Sequence, residues 1–202
     1  MRKVFVWVIV LAMAVGSTLA ASPFNNHGSK NTFGATAPLK GSHQGATLIA
    51  FDSMYGVDGP FVGEGFPIRD IPGDELPWTL KSAHGRLDTD GHLTLKIQGL
   101  VFTDDEEVPV DLRGINDESE FRAAVSCWTE EGETITTKNV ITGGFPATRS
   151  GNATIRTTID LPNPCVAPIV MVLAGSEDKW FAVTGFESDE GEDDNGGDEN
   201  GD

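Results

Sequence analysis

The sequence is poor in positive charge and in the side chains that most often carry out chemistry. Its 202 residues include 14 lysines and arginines against 31 aspartates and glutamates, which gives a net charge of −17. There are four histidines, two cysteines and one tyrosine. Because nucleic acids and anionic lipid surfaces repel a chain this acidic, we expect neither of them as a partner.

The sequence motifs of the common catalytic sites are also missing. The chain contains no G-x-S-x-G, no H-E-x-x-H, no P-loop, no dinucleotide-binding glycine fingerprint and no C-x-x-C. We therefore predict no catalytic residue and no cofactor.

Only one long apolar run is present, at the start of the chain. It extends from Val4 to Val15 behind two basic residues, and Ala20 then provides a small residue suited to cleavage. The run has 12 residues, whereas a membrane-spanning helix needs roughly 20. Residues 1–20 are therefore predicted to be a cleaved signal peptide, with an uncleaved membrane anchor as the alternative. Cleavage would leave a secreted or periplasmic protein that does not insert into a membrane.

Composition divides the rest of the chain into three parts. Residues 21–45 show no periodicity and are interpreted as a flexible leader. Residues 46–186 carry the apolar pattern of a folded domain, with 10 basic and 22 acidic residues. Residues 187–202 hold nine acids and no base, which predicts a disordered, solvated acidic tail.

The two cysteines are Cys127 and Cys165. In an exported chain an even pair most simply forms a disulfide. The chain-entropy model gives about 4 kcal/mol of stabilisation for a loop of this length. A pair of free thiols is the alternative.

Several short segments alternate between apolar and polar residues, as a strand with one buried face does. Leu93, Leu95 and Ile97 fall on one side of such a segment, and Thr94, Lys96 and Gln98 on the other. The Asp90-Gly91 step before it predicts a hairpin turn. Further strand-like runs lie at 46–51, 78–87, 121–129, 134–142, 153–161, 168–174 and 179–185. We predict an all-β fold, an antiparallel β-sandwich of about eight short strands, with a barrel as the alternative.

The connection at 52–77 is the main candidate for a binding loop. It is long and contains five glycines and four prolines, which excludes a long helix. Aromatic and charged residues lie among them, a mixture suited to sugar or peptide contacts. The candidate binding residues are Asp52, Tyr55, Asp58, Phe61, Glu64, Phe66, Arg69 and Asp70. The alternative is a structural cover over an end of the sandwich, with Phe61, Phe66 and Trp78 buried.

A weaker candidate site lies at the predicted hairpin. His84 and His92 flank the turn, close in sequence to Asp88 and Asp90. Imidazole and carboxylate groups can bind zinc or copper, so these four residues are candidate ligands for an unidentified metal. The alternative is a set of exposed polar residues at a turn.

Three segments carry a family resemblance. They are Phe51–Gly59, Leu161–Pro168 and Trp180–Gly185. Together they resemble a family of uncharacterised bacterial secreted single-domain proteins with no assigned activity. The resemblance implies an exported bacterial domain over roughly residues 46–186, and it implies no catalytic residue.

These observations favour a secreted, non-enzymatic binding or structural β-domain. Its partner would be an unidentified extracellular ligand or protein, and we expect a monomer. One alternative is an extracytoplasmic hydrolase that uses carboxylates of the 52–77 loop. The other is a small metal-handling protein that uses His84 and His92.

Overall fold

The computed structural model describes residues 45–186, which form an all-β, antiparallel structure. The twelve strands in these residues are β1 (Thr47–Phe51), β2 (Met54–Gly56), β3 (Trp78–Thr79), β4 (Ser82–Asp88), β5 (His92–Gln98), β6 (Val101–Phe102), β7 (Glu120–Glu131), β8 (Thr134–Ile141), β9 (Phe145–Pro146), β10 (Ala153–Thr158), β11 (Val166–Ala174) and β12 (Trp180–Thr184). Eight of these strands have five or more residues, in agreement with the prediction. No helix within 45–186 is long and apolar enough to cross a membrane. The predicted signal peptide, the leader up to residue 44 and the tail from residue 187 lie outside the described residues.

The strands form two main sheets. The small sheet has the order β1-β4-β5-β10, and the large sheet has the order β2-β12-β11-β7-β8, with β9 paired to one end of β7. A short ribbon of β3 and β6 extends the β4–β5 hairpin. No sheet in the described residues closes on itself, so the sandwich prediction is confirmed and the barrel alternative is excluded.

The alternation of apolar and polar residues explains why the small sheet has one buried face and one exposed face. Leu93, Leu95 and Ile97 of β5 are buried, and the residues between them are exposed. The turn before β5 ends at Gly91, whose φ of 81° suits glycine. The amide of Ile159 also donates to the Gly91 carbonyl, which ties the turn to the end of β10. The hairpin prediction is therefore confirmed.

The large sheet supplies the other half of the core. Its inner face is lined by fully buried residues, among them Phe121, Ala123 and Val125 of β7 and Val172 of β11. An aromatic cluster joins this face to the β3–β6 ribbon. In it, Phe181 makes an edge contact with Phe121 and stacks on Trp78, with ring centroids 5.9 Å and 4.0 Å apart.

The predicted disulfide is present. Cys127 of β7 is bonded to Cys165, the residue before β11, with an S–S distance of 2.02 Å. The bond fastens two neighbouring strands of the large sheet at one end.

Candidate functional site

The 52–77 connection contains a closed loop. The Gly63 amide donates to the Asp74 carbonyl (2.7 Å), so residues 63–74 form an Ω-type loop whose ends meet. Asp58 begins the preceding 3-10 turn by accepting a hydrogen bond from the Gly59 amide. The loop returns at the start of β12, where the Trp180 amide donates to Pro72 and the Asp74 amide donates to Trp180.

This 63–74 loop covers the outer face of the large sheet, the face directed away from the small sheet. Ile71 of the loop is 4 % exposed, and the ring of Phe61 lies 6.2 Å from that of Trp180. On the outer face of the sheet, Met171 and Leu173 are fully buried. The predicted structural cover therefore exists, but it lies over a sheet face instead of an end of the sandwich.

The tip of the loop is a two-residue turn with an unusual backbone. Ile68 and Ile71 exchange both main-chain hydrogen bonds, and between them Arg69 and Asp70 have φ values of 52° and 66°. Positive φ at both central positions defines a type I′ turn, which strongly prefers Asn-Gly. A side chain in this conformation costs about 1–2 kcal/mol per residue, less for aspartate than for most residues. The surroundings must therefore hold the tip in place.

Contacts to three strands hold the tip. Asn139 Nδ2 of β8 donates to the Arg69 carbonyl (2.8 Å), and Arg69 Nη2 donates to the Ala167 carbonyl of β11 (3.0 Å). The Arg69 guanidinium lies 4.1 Å from the ring centroid of Trp128 in β7, a cation–π contact. Arg69 has no carboxylate partner among the described residues.

An apolar hollow lies beside the tip, at the disulfide end of the large sheet. It has a volume of 250 Å³ and is lined by Trp128, Thr129, Ile135, Pro164 and Val166. Trp128, Ile135 and Val166 are respectively 47 %, 68 % and 53 % exposed. Exposed apolar side chains that converge in this way are typical of binding surfaces.

The rim of the hollow is acidic. Glu130 lies directly opposite Ile135 in the β7–β8 pair, Glu131 is the last residue of β7, and Glu133 lies in the turn that follows. All three glutamates are exposed. The nearest cation on β8 is Lys138, whose Nζ lies 4.0 Å from Glu131 Oε1. A ligand of the hollow thus meets an apolar floor, the Arg69 guanidinium on the ring of Trp128, and three exposed glutamates on the side of Ile135.

The other candidate binding residues of the 52–77 loop lie in different environments. Tyr55 makes an edge contact with the Phe61 ring, and its hydroxyl lies 3.5 Å from the Asp58 carbonyl, at the limit of a hydrogen bond. Asp52 and Glu64 are exposed. Phe66 is 62 % exposed, so it is not part of the packed cover.

The hairpin brings together three of the four candidate metal ligands. Ligand atoms of Asp88, Asp90 and His92 lie within 4.8 Å of one another. Asp88 Oδ1 accepts hydrogen bonds from the Asp90 and His92 amides (3.2 and 3.1 Å) and lies 3.4 Å from His92 Nδ1. Burial acts to raise the pKa of Asp88, but these hydrogen bonds and His92 hold it below the ordinary value. His84 lies opposite Lys96, several residues from the turn.

A second acidic group contains Asp74, Glu75 and Glu177. The Lys179 ammonium occupies it, in ion pairs with Glu75 and Glu177. Burial raises the pKa of Asp74 to about 6, although its Oδ2 accepts a hydrogen bond from the indole of Trp78 (2.9 Å). These groups already have structural partners.

Asp58 also lines a shallow depression of 650 Å³ with Asp105, Glu106 and Glu107. The carboxylates of the 52–77 loop therefore lie in different environments: Asp58 in this depression, Asp70 at the loop tip, and Asp74 with Glu75 in the second acidic group. Asp74 and Glu75 lie together, but Asp74 accepts the hydrogen bond of the Trp78 indole and Glu75 is paired with Lys179.

Sequence reasoning found Arg69 but missed the hollow. The signal was Trp128: alternation along β7 places Phe121, Ala123, Val125 and Cys127 on one face and therefore Trp128 on the other. A large aromatic side chain on the outer face of a strand, next to a disulfide cysteine, indicates an exposed apolar surface. Comparisons with family models, curated proteins and solved structures find no match to this chain, so the family resemblance stays a prediction.

Proposed function

We propose that this protein is an exported, non-enzymatic binding domain that holds a segment of a partner protein in the apolar hollow. The exposed side chains of Trp128, Ile135 and Val166 carry the proposal, because they converge on one hollow in an otherwise acidic protein. The neighbouring disulfide and the docked tip of the 63–74 loop make the surface rigid. A preformed surface loses little entropy on binding.

Charge indicates the chemistry of the partner. The hollow is bordered by Glu130, Glu131 and Glu133, and residues 46–186 contain 22 acids and 10 bases. Opposite charges steer association, while like charges oppose it. The preferred partner segment therefore carries an apolar side chain for the hollow and lysines or arginines next to the three glutamates.

The alternatives receive weaker support. A hydrolase needs carboxylates free to act on a substrate, but Asp74 is bonded to Trp78 and Glu75 is paired with Lys179. A metal-handling site at the hairpin would compete with the hydrogen bonds that Asp88 makes inside the turn.

Selection from a displayed library of random dodecapeptides tests the proposed function. We expect the protein to enrich peptides with an apolar residue flanked by lysine or arginine. Trp128→Ala should weaken their binding at least about tenfold, since the floor of the hollow is removed. Thr94→Ala, an exposed substitution on the small sheet, is the matched control and should leave affinity unchanged. Enriched peptides without this pattern, or equal binding to the Trp128→Ala variant, would overturn the proposal.

A further inference from the structure

The edge of the large sheet next to the hollow is open. β8 is the last strand in the order β2-β12-β11-β7-β8, and within residues 45–186 it pairs only with β7. It has eight residues and is rich in threonine, isoleucine and valine, which favour strands. An unpaired strand of this length presents main-chain donors and acceptors to another strand.

The hydrogen-bond ladder indicates which main-chain groups are available. The Thr142 amide donates to the Ala123 carbonyl (2.9 Å), directly after the last β7–β8 pair, Ala124 with Ile141. Ladder bonds in an antiparallel pair recur at every second residue. The main-chain groups of Val140, Lys138 and Thr136 therefore face β7, whereas those of Ile135, Thr137 and Asn139 point away from it.

The open edge and the hollow are parts of one surface. Ile135 belongs to β8 and also lines the hollow, and Thr137 lies opposite Trp128 on the same face. A strand added beside β8 would place every second side chain on this face, next to Ile135 and Thr137, with Trp128 one strand further in. Its other side chains would lie on the face of Lys138, which is opposite Cys127.

We propose that the partner segment binds as an additional β-strand along β8, with apolar side chains at alternate positions turned toward the hollow and basic residues at its ends. This inference rests on the proposed function and adds the binding mode. Main-chain hydrogen bonds to Ile135, Thr137 and Asn139 would align the segment, and the hollow would select its side chains.

A second copy of this chain fits the edge less well. Pairing two β8 edges would bring together two domains that each carry 22 acids and 10 bases. Each also has three exposed glutamates at the end of β7 and in the turn that follows. Like charges at that density oppose association. A cationic segment has the opposite charge and is the occupant that the surface favours.

A synthetic peptide, Lys-Lys-Val-Thr-Val-Thr-Val-Lys-Lys, tests the binding mode with the full exported protein. Thr137→Pro removes an outward amide and leaves the β7 ladder intact, so it should weaken binding about tenfold. Thr137→Ala keeps the amide and removes only the side chain, so it should weaken binding much less than Thr137→Pro does. Bound peptide should also slow hydrogen exchange at the amides of Ile135, Thr137 and Asn139.

The peptide backbone provides an independent test. One version carries N-methyl groups on its valines and another on its threonines. Because alternate amides of a strand point to opposite sides, one version should lose binding and the other should keep it. Equal binding of both versions would overturn strand addition.

Variants separate failure of the binding mode from failure of the proposed function. If Thr137→Pro binds as wild type while Trp128→Ala does not, strand addition is wrong and the hollow remains the binding site. If Trp128→Ala binds as wild type, the proposed function is wrong. Sedimentation that reveals a dimer abolished by Thr137→Pro would identify a second copy as the occupant and overturn the inference.

Discussion

The two sheets of this sandwich have similar inner faces and very different outer faces. On the small sheet, the outward residues of β5 are polar and exposed. On the large sheet, outward residues such as Ala124, Met171 and Leu173 are fully buried, because the 63–74 loop lies over them. Where that cover ends, Trp128 and Ile135 are exposed. The candidate binding surface is thus the uncovered end of an apolar sheet face.

The difference has a physical cause in the sequence. A strand with polar residues at alternate positions needs only one partner layer, as β5 does. In contrast, Val170–Ala174 of β11 is apolar at consecutive positions, so both of its faces need cover. The 63–74 loop supplies this cover with few apolar residues and a strained tip. A cover of this kind makes the stability of the large sheet depend on a loop.

Removing an apolar contact of the cover should have the largest effect. Ile71→Ala leaves a space above the large sheet and should lower the free energy of unfolding by about 2–5 kcal/mol. Thr94→Ala on the exposed face of the small sheet is the matched control and should change it by less than about 0.5 kcal/mol. Urea unfolding of the oxidised protein measures both. Equal effects of the two substitutions would show that the outer faces do not differ in this way.

Local patterns in the sequence were sufficient to predict the small sheet. Alternation along Leu93–Ile97 and the Asp90-Gly91 turn depend on neighbouring residues only, and both predictions are confirmed. The disulfide was also predictable, because a chain with two cysteines allows only one pairing between them.

The candidate site could be predicted only in part. Arg69 was identified from its loop, but its contacts with Asn139, Ala167 and Trp128 join residues far apart in the chain. Neither the alternation within a strand nor the amino-acid composition relates residues so far apart, so these contacts could not be predicted from the sequence. The position of the cover could not be predicted for the same reason. Phe61 and Ile71 are isolated apolar residues within a glycine- and proline-rich segment.

A smaller effect on stability should come from replacing Asp74, the residue at which the 63–74 loop ends. Burial raises the pKa of Asp74 from 3.8 to about 6, so the folded state binds its proton more tightly than the unfolded chain does. Ionising Asp74 therefore lowers stability as the pH rises through this range, with the full cost above about 6 and none below 3.8. Asp74→Asn keeps an acceptor for the Trp78 indole and removes the charge.

We expect Asp74→Asn to raise the free energy of unfolding by about 2 kcal/mol at pH 8, and by little at pH 4. Glu64→Gln removes an exposed charge from the same loop and is the control for net charge. Urea unfolding at both pH values measures the difference. A stabilisation that is the same at both values would contradict the assignment to Asp74.

The smallest expected effect on stability comes from a difference between two turns. The small sheet reaches positive φ at Gly91, where no side chain opposes it, whereas the cover reaches it at Arg69 and Asp70. Asp70→Gly should therefore stabilise the protein by about 1 kcal/mol, and Asp70→Ala, which removes the same charge without relieving the backbone, should not. Thermal unfolding shows which of the two variants is more stable. If Asp70→Ala is as stable as Asp70→Gly, loss of the negative charge explains the gain and the strain at the tip does not.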